Sequence, residues 1–317
     1  MLNLYDSVDD FFVASGIRVL KTQAGKPYVT GVLLRDKDRI RFVAWNMTES
    51  DVADMEGSFV AVQGMVGEYN GEKQITVERI RCADAADTFD PSRIVPTAPI
   101  DVDMCFAVVA ETVEGMNDCK LKDICETVLL WLKPDLMTLP AGKSVHHAFI
   151  GGLLMHIYTM LLLAKALCSI YEMIPGRETA IDKDLLFAGV ICHDIGKCEE
   201  FQLNKCGLVA EYTPDGRQFG HAVLGARAIE FYDDSEGSES VRQLKHLLLS
   251  HHGTPEHGAA VSPMTLEAII LSQIDSLDSK TEAAMEALEE VQPGGYTERL
   301  LAFDGRQLYK PDMERSF

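Results

Sequence analysis

Hydrophobic periodicity changes once along this chain, and that change restricts its fold more than any other feature. From Phe11 to Cys82 apolar residues recur at every second position: Ile17 and Val19, then Val29, Gly31 and Leu33, then Ile40, Phe42 and Ala44. Alternation of this kind buries one face of a strand and wets the other. Gly25-Lys26-Pro27 and Asp36-Lys37-Asp38 supply turns between the strands. Phe59 to Gly67 and Lys73 to Ile80 extend the pattern across Asn70-Gly71, a dipeptide suited to a tight hairpin turn. Thr48 to Glu56 is polar and predicts a short helix after the third strand. Five strands with a helix in that place predict the small Greek-key barrel called the OB-fold.

Beyond residue 82 the pattern breaks. Pro91, Pro96 and Pro99 deny regular structure to a stretch rich in Ala, Asp and Ser. From Met104 the periodicity is helical, with helices predicted at Cys105 to Gly115, Leu121 to Leu132, His147 to Met173, Lys183 to Ile195, His221 to Asp233, Ser240 to Ser250, Pro263 to Ser279 and Thr281 to Val291. Ser262-Pro263 has the hydroxyl and proline of a helix start. The expected chain is thus α+β with two domains: an OB-fold over residues 1–85, a linker over 86–103 and an all-helical domain over 104–317.

Charge narrows the function. With 29 Lys and Arg against 49 Asp and Glu, the formal charge of −20 argues against a general nucleic-acid coat. A local exception runs from Arg18 to Arg41, where seven basic residues face only Asp36 and Asp38. The eight cysteines contain no Cys-x-x-Cys pair and read as reduced thiols of a cytoplasmic protein. No secretory signal is expected at the acidic N-terminus. Ala148 to Ala164 is apolar, but it is short for a membrane span and carries His156 at its centre, so a core helix is expected and no membrane partner.

The chemistry is concentrated in the helical part. Cys192-His193-Asp194-Ile195-Gly196-Lys197 closes an apolar run that begins at Leu185, which places His193 and Asp194 on the last turn of a buried helix stopped by Gly196. A carboxylate in apolar surroundings must pair, protonate or coordinate. His156, His193 and Asp194, His221, His251 and His252, and Asp275 follow in order, with gaps of 37, 27, 30 and 23 residues. Each gap accommodates one helix and its connection, so neighbouring helices can bring these side chains to one centre. Imidazole and carboxylate donors without thiolate suit Mn, Fe, Co, Ni or Zn better than Mg.

These fragments occur together in a known family. Ile94-Val95-Pro96-Thr97-Ala98-Pro99, His146-His147, Gly151-Gly152-Leu153-Leu154-Met155-His156, His193-Asp194-Ile195-Gly196-Lys197, Glu211-Tyr212-Thr213, Gly220-His221, Leu249-Ser250-His251-His252-Gly253, Ile274-Asp275-Ser276-Leu277-Asp278 and Leu308-Tyr309-Lys310-Pro311 span most of the chain. In that order and spacing the sequence resembles the HD superfamily of metal-dependent phosphohydrolases, and more closely the YhaM-type 3′-to-5′ exoribonucleases. The resemblance implies that His156, His193, Asp194 and Asp275 ligate a first divalent ion. His221, His251 and His252 match positions for a second, with Asp194 as the bridge and manganese placed ahead of Fe, Co, Ni and Zn. Lys197 is expected to meet a phosphate oxygen, and with Asp194 it completes the catalytic pair. His147 is expected to touch substrate or support a ligand, with His146 as its alternative, and Asp278 to orient a ligand or close an internal polar contact. Family members commonly carry a histidine after the leucine of the last motif, where this chain has Ser272.

The implied activity is removal of nucleotides from the 3′ end of single-stranded RNA by metal-activated water, with single-stranded DNA left open as a substrate. Tyr28, Trp45 and Tyr69 on the barrel are expected to stack bases while Lys and Arg hold phosphates, with a place in the barrel core as the alternative for Trp45 and Tyr69; Phe42 is assigned to the core. Alternative readings are an HD hydrolase of nucleotides or other small phosphate esters, a di-iron oxygen-using site, and an OB-fold binding protein with the helical domain as scaffold. The oligomeric state is not legible.

Overall fold

In the computed structural model, residues 2–36, 38–143, 147–232 and 238–313 are described. Contacts divide the chain into two compact units, Met1–Thr97 with Leu203–Ala210, and Ala98–Gln202 with Glu211–Phe317.

In the first unit, β1 (Ser7–Lys21), β2 (Pro27–Arg35), β3 (Asp38–Trp45), β4 (Phe59–Tyr69) and β5 (Glu72–Cys82) close into a barrel in the order β1-β2-β3-β5-β4. β1 pairs antiparallel with both β2 and β4, β3 and β5 run parallel, and α1 (Glu49–Val52) lies between β3 and β4. That is the topology of an OB-fold. Alternation works as the sequence implies for Val29, Leu33, Phe42, Ala44, Val60, Val62, Val66 and Ile75, which fill the barrel, but Val19 at the far end of β1 is exposed. Each large aliphatic or aromatic side chain buried there contributes about 1.5–3 kcal/mol. Asn70 and Gly71 both take positive φ, 52° and 81°, as a two-residue hairpin turn of the primed type requires.

The expected linker is packed rather than bare. Asp90 caps a 3-10 turn, Pro91–Arg93, by accepting from the Ser92 N–H at 3.0 Å, and Ile94, Val95 and Ala98 are buried. The division between units falls after Thr97.

The second unit holds α2 (Val102–Glu114), α3 (Cys119–Thr138), α4 (Gly152–Glu172), α5 (Lys183–Cys192), α6 (Lys197–Glu200), α7 (Pro214–Tyr232), α8 (Glu239–Ser250) and α9 (Leu266–Glu289). Asp101, Asp118 and Asp182 cap α2, α3 and α5 by accepting backbone N–H groups of the first turn. α4 packs against α2, α3, α5 and α9. It is long and apolar enough to cross a membrane by length and composition, with half of its apolar window buried by its neighbours.

Three expectations change. Pro263–Ser279 and Thr281–Val291 are one helix, α9, because no glycine or proline interrupts residues 266–289. Its cap is Thr265, which accepts from the Ala268 N–H at 3.3 Å, and not Ser262-Pro263. Gly196 does not stop α5 by a left-handed turn: its φ of −62° and ψ of −15° are helical, and it opens α6. A Cβ at residue 196 would stand 2.1 Å from the His221 carbonyl oxygen, so glycine is required for the approach of α7. The sequence also gave no sign of a hairpin formed by β6 (Phe201–Leu203) and β7 (Val209–Tyr212).

Candidate metal centre

Four histidines are held by Nδ1, which turns the Nε2 of each toward the other donors. α5 ends at Cys192 and α8 at Ser250, and the next residue of each, His193 and His251, caps its helix. His193 Nδ1 donates to Val190 O at 2.8 Å and His251 Nδ1 to Leu248 O at 2.7 Å, using carbonyls of the last helical turn. His221 follows a kink at Gly220, where φ is 71° and ψ 158°. Its N–H donates to Glu200 Oε1 at 3.1 Å and its Nδ1 to Glu200 Oε2 at 3.0 Å. His156, near the start of α4, donates Nδ1 to Asp278 Oδ2 at 2.7 Å. Carbonyl and carboxylate oxygens only accept, so each Nδ1 carries a proton and each Nε2 is the nitrogen that can take a cation or, in its place, a second proton.

Those Nε2 atoms converge. His193 and His156 bring theirs within 3.2 Å, His221 and His251 within 3.3 Å, and His252 and His221 within 3.0 Å. Facing lone pairs repel unless a proton or a cation lies between them. Two nitrogens about 2.1 Å from one divalent ion and at right angles to each other stand about 3.0 Å apart. His156, His193 and Asp275 form one such group, and His221, His251 and His252 another.

Asp194 stands between the groups. Its Oδ2 is 3.3 Å from His193 Nε2 and 3.7 Å from His156 Nε2; its Oδ1 is 3.3 Å from His221 Nε2 and 3.9 Å from His251 Nε2. Oδ1 is buried with no hydrogen bond, a costly state for a carboxylate oxygen that a cation would relieve. The donor set is that of a divalent-metal site. Lys197 Nζ donates to Oδ2 at 2.6 Å. Burial alone would push the Asp194 carboxyl up, but the Lys197 ammonium, then His193 and His221, hold it well below the usual range. Burial would likewise lower His156; hydrogen bonds to Asp275 and Asp278, with the charges of Asp275 and Asp194, carry it up to about 9. Without a cation, a proton takes the place between the donors. His251 goes the other way, held well below its ordinary value by burial and by the neighbouring His252 and His193.

Asp194, Lys197, His221, His251, His252 and Asp275 line a cavity of about 290 Å³, together with Lys143, Glu200, Phe201 and Tyr212. His147 is not on that wall. It is buried, with φ 53°, and its Nε2 donates to Asp278 Oδ2 at 2.9 Å, so it stands behind His156. His146 lies outside the described residues. Glu200 and Lys143 escaped the sequence reading, and Tyr212 entered it only as part of the Glu211-Tyr212-Thr213 fragment, without a role. Glu200 follows Asp194 by six residues, a spacing with no metal-ligand signature, and only the fold brings it under His221. Ser272 is buried on α9 and donates its hydroxyl to Ile269 O at 3.1 Å.

Of the barrel's aromatic candidates Trp45 and Tyr69 are exposed and Tyr28 is half-buried, while Phe42 is in its core. Tyr28 and Trp45 face each other across β2 and β3 with ring centroids 5.1 Å apart, Trp45 being 52% exposed. Tyr69, 62% exposed, ends β4 beside the Asn70-Gly71 turn. The basic stripe is partly neutralised: Arg35 pairs with Asp10, and Arg41 with Glu72 at 2.9 Å. A groove of about 890 Å³ gathers Arg35, Arg39 and Arg41 with Lys73 and Arg93, against Asp36, Asp38 and Glu72.

An HD-domain family model matches residues 153–280, which contain every one of the converging donors. Fold and site together therefore define an OB-fold joined to an HD-domain metal centre. The 3′-5′ exoribonuclease YhaM of Bacillus subtilis is 33% identical over 317 residues, 98% of this chain and 96% of its own. Its counterparts in Oceanobacillus iheyensis and Bacillus velezensis are 33% and 34% identical, covering 93% and 96% of this chain and 91% and 95% of theirs. The chain belongs to the YhaM family. Among solved structures, the OB domain of Ta0387 from Thermoplasma acidophilum aligns with 26% of this chain and 81% of its own, at 18% identity and a TM-score of 0.22.

Proposed function

We propose that this protein is a cytoplasmic, metal-dependent 3′-to-5′ exoribonuclease acting on single-stranded RNA, with single-stranded DNA as a second substrate. The observation that carries the reading is Asp194, one buried carboxylate that turns an oxygen toward each of two histidine groups. The relatives named 3′-5′ exoribonuclease, matched over nearly the whole chain, support it.

In this reading His156, His193, Asp194 and Asp275 hold one ion, and Asp194, His221, His251 and His252 hold the other. The imidazole nitrogens suit Fe, Co, Ni or Zn and the carboxylate oxygens suit Mn, and manganese is the ion taken first in this reading. When bound, the two ions supply Lewis acidity that lowers the pKa of a water and offsets charge on the attacked phosphate. The chain does the rest. Asp278 and Glu200 fix the rings of His156 and His221. Lys197, on the cavity wall, presents its ammonium to a non-bridging phosphate oxygen. At about 290 Å³ the cavity has the scale of a single small ligand, which favours a strand end over an internal segment. On the barrel, Tyr28, Trp45 and Tyr69 stack bases while Arg39 and its neighbours hold phosphates.

The same cavity size favours one second reading, hydrolysis of a mononucleotide or other small phosphate ester. Metal-stripped protein given manganese and 5′-labelled single-stranded RNA decides between them. A ladder of shortened, still-labelled products, absent with Asp194→Ala, is expected. Intact RNA with hydrolysed mononucleotides would overturn the exonuclease reading.

A further inference from the structure

Resting on the exonuclease reading, we propose that Tyr212 is a binding residue of the metal centre, the platform on which the nucleobase at the 3′ end of the strand stacks. Tyr212, at the end of β7, lines the same cavity as Asp194, Lys197 and His252. It is 37% exposed, while Phe201 at the start of β6 is 8% exposed and meets it with ring centroids 5.6 Å apart at 66°. The buried phenylalanine therefore fixes the plane of a tyrosine ring that is left open to the cavity.

Its backbone is fixed as well. The Thr213 N–H donates to Glu200 O at 2.9 Å, and the Thr213 hydroxyl to Glu199 O at 2.8 Å. Those acceptors lie on α6, which carries Lys197 and the Glu200 carboxylate that holds His221. Ring and metal donors thus share one short piece of scaffold. Among the described residues the other rings on this wall are Phe201 and the imidazoles of the histidine cluster, so Tyr212 offers the exposed apolar face. Lys143 on the same wall adds a cation for the phosphate of that nucleotide, and its Nζ stands 3.6 Å from Glu211, the residue before Tyr212. Every base has a π face, so stacking here grips the terminal nucleotide without choosing its sequence.

The test uses the full chain loaded with manganese and two 5′-labelled RNAs, one ordinary and one ending in a 3′ abasic nucleotide. On ordinary RNA, Tyr212→Ala is expected to raise KM about tenfold or more with kcat nearly unchanged, and Tyr212→Phe to behave as wild type. On the abasic RNA the wild type should already show the raised KM, and Tyr212→Ala should add nothing. Bound manganese, measured by elemental analysis, should be equal in all three proteins. Equal wild-type KM for the two RNAs overturns the stacking role without any variant, as does a Tyr212→Ala defect of the same size on both. If the wild type degrades neither RNA, the exonuclease reading fails and this proposal falls with it.

Discussion

Asp278 is not among the donors assigned here to either ion, yet its replacement by asparagine is expected to weaken metal binding about 10- to 100-fold. One oxygen, Oδ2, accepts from His156 Nδ1 at 2.7 Å and from His147 Nε2 at 2.9 Å. Burial would push this carboxyl up, but the two imidazoles hold it below the ordinary carboxylate range, so it is ionised at neutral pH. As an anion it can only accept, which keeps the His156 proton on Nδ1 and the lone pair on Nε2. Asparagine has the same shape but two different faces. With its oxygen toward the rings it trades charge-assisted hydrogen bonds for neutral ones, a loss of about 1–2 kcal/mol. With its NH2 toward them, His156 must move its proton to Nε2 and gives up the ligating lone pair. Either loss agrees with the expected range, which converts to about 1.4–2.7 kcal/mol. Metal-stripped wild type and Asp278→Asn are titrated with manganese against a chromophoric chelator, and urea unfolding confirms that the variant is folded. Unchanged affinity in a folded Asp278→Asn protein would refute the tautomer argument.

Protonation of His156 gives a second prediction. Its folded value of about 9 lies above the unfolded value, so its stabilising effect on the metal-free protein is complete below about pH 6.5 and is lost as pH rises through 9. Denaturant midpoints of the chelator-treated protein should carry that loss between pH 7 and 9. Metal binding at pH 7.5 should release about one proton from this site, read by calorimetry in buffers of different ionisation enthalpy; no release would contradict it. Gly196→Ala should destabilise the fold by about 3 kcal/mol or more, since the new Cβ meets backbone atoms of His221 and Gly225 rather than a movable side chain. A urea midpoint equal to wild type would show that the helices can part at no cost. Trp45→Ala should weaken single-stranded RNA binding by about 1–3 kcal/mol with bound metal unchanged, and filter binding at fixed salt would expose an unaltered affinity.

The barrel was legible because strand alternation is a local signal: Val29, Leu33, Phe42 and Ala44 enter the core by position alone. The converging histidines and aspartates were legible for a different reason. Each falls at a helix end or on a buried helix face, where an ionisable side chain has no ordinary use. Their supports were legible only in part: His147 and Asp278 were expected to support or orient a ligand, whereas their pairing with each other and the part played by Glu200 were not foreseen. His147 and Asp278 meet across 131 residues and His221 and Glu200 across 21, and no spacing rule encodes either pair. Gly196 was misread because glycine after a helical run usually marks a left-handed cap, whereas here it makes room for a neighbouring backbone. The exposure of Trp45 and Tyr69 could not be chosen from sequence either, since a small barrel buries some rings and displays others with the same alternation.

The supports also bring the charges of the centre into balance. α5 and α8 both point their C-termini, the negative poles of their dipoles, at the histidines that cap them. Asp194 and Asp275 face the donors, while Glu200 and Asp278 stand one ring behind. Four carboxylates match the charge of the two divalent ions proposed here. Lys197, hydrogen-bonded to Asp194 on the cavity wall, is then left uncompensated within this set of carboxylates and ions, and it is positive. A chain with a formal charge of −20 repels a polyanion at long range, so attraction must be local. A loaded centre left with one excess positive charge beside the phosphate position provides that attraction where the bond is to be broken. Losing either rear carboxylate therefore perturbs ring orientation and charge balance together.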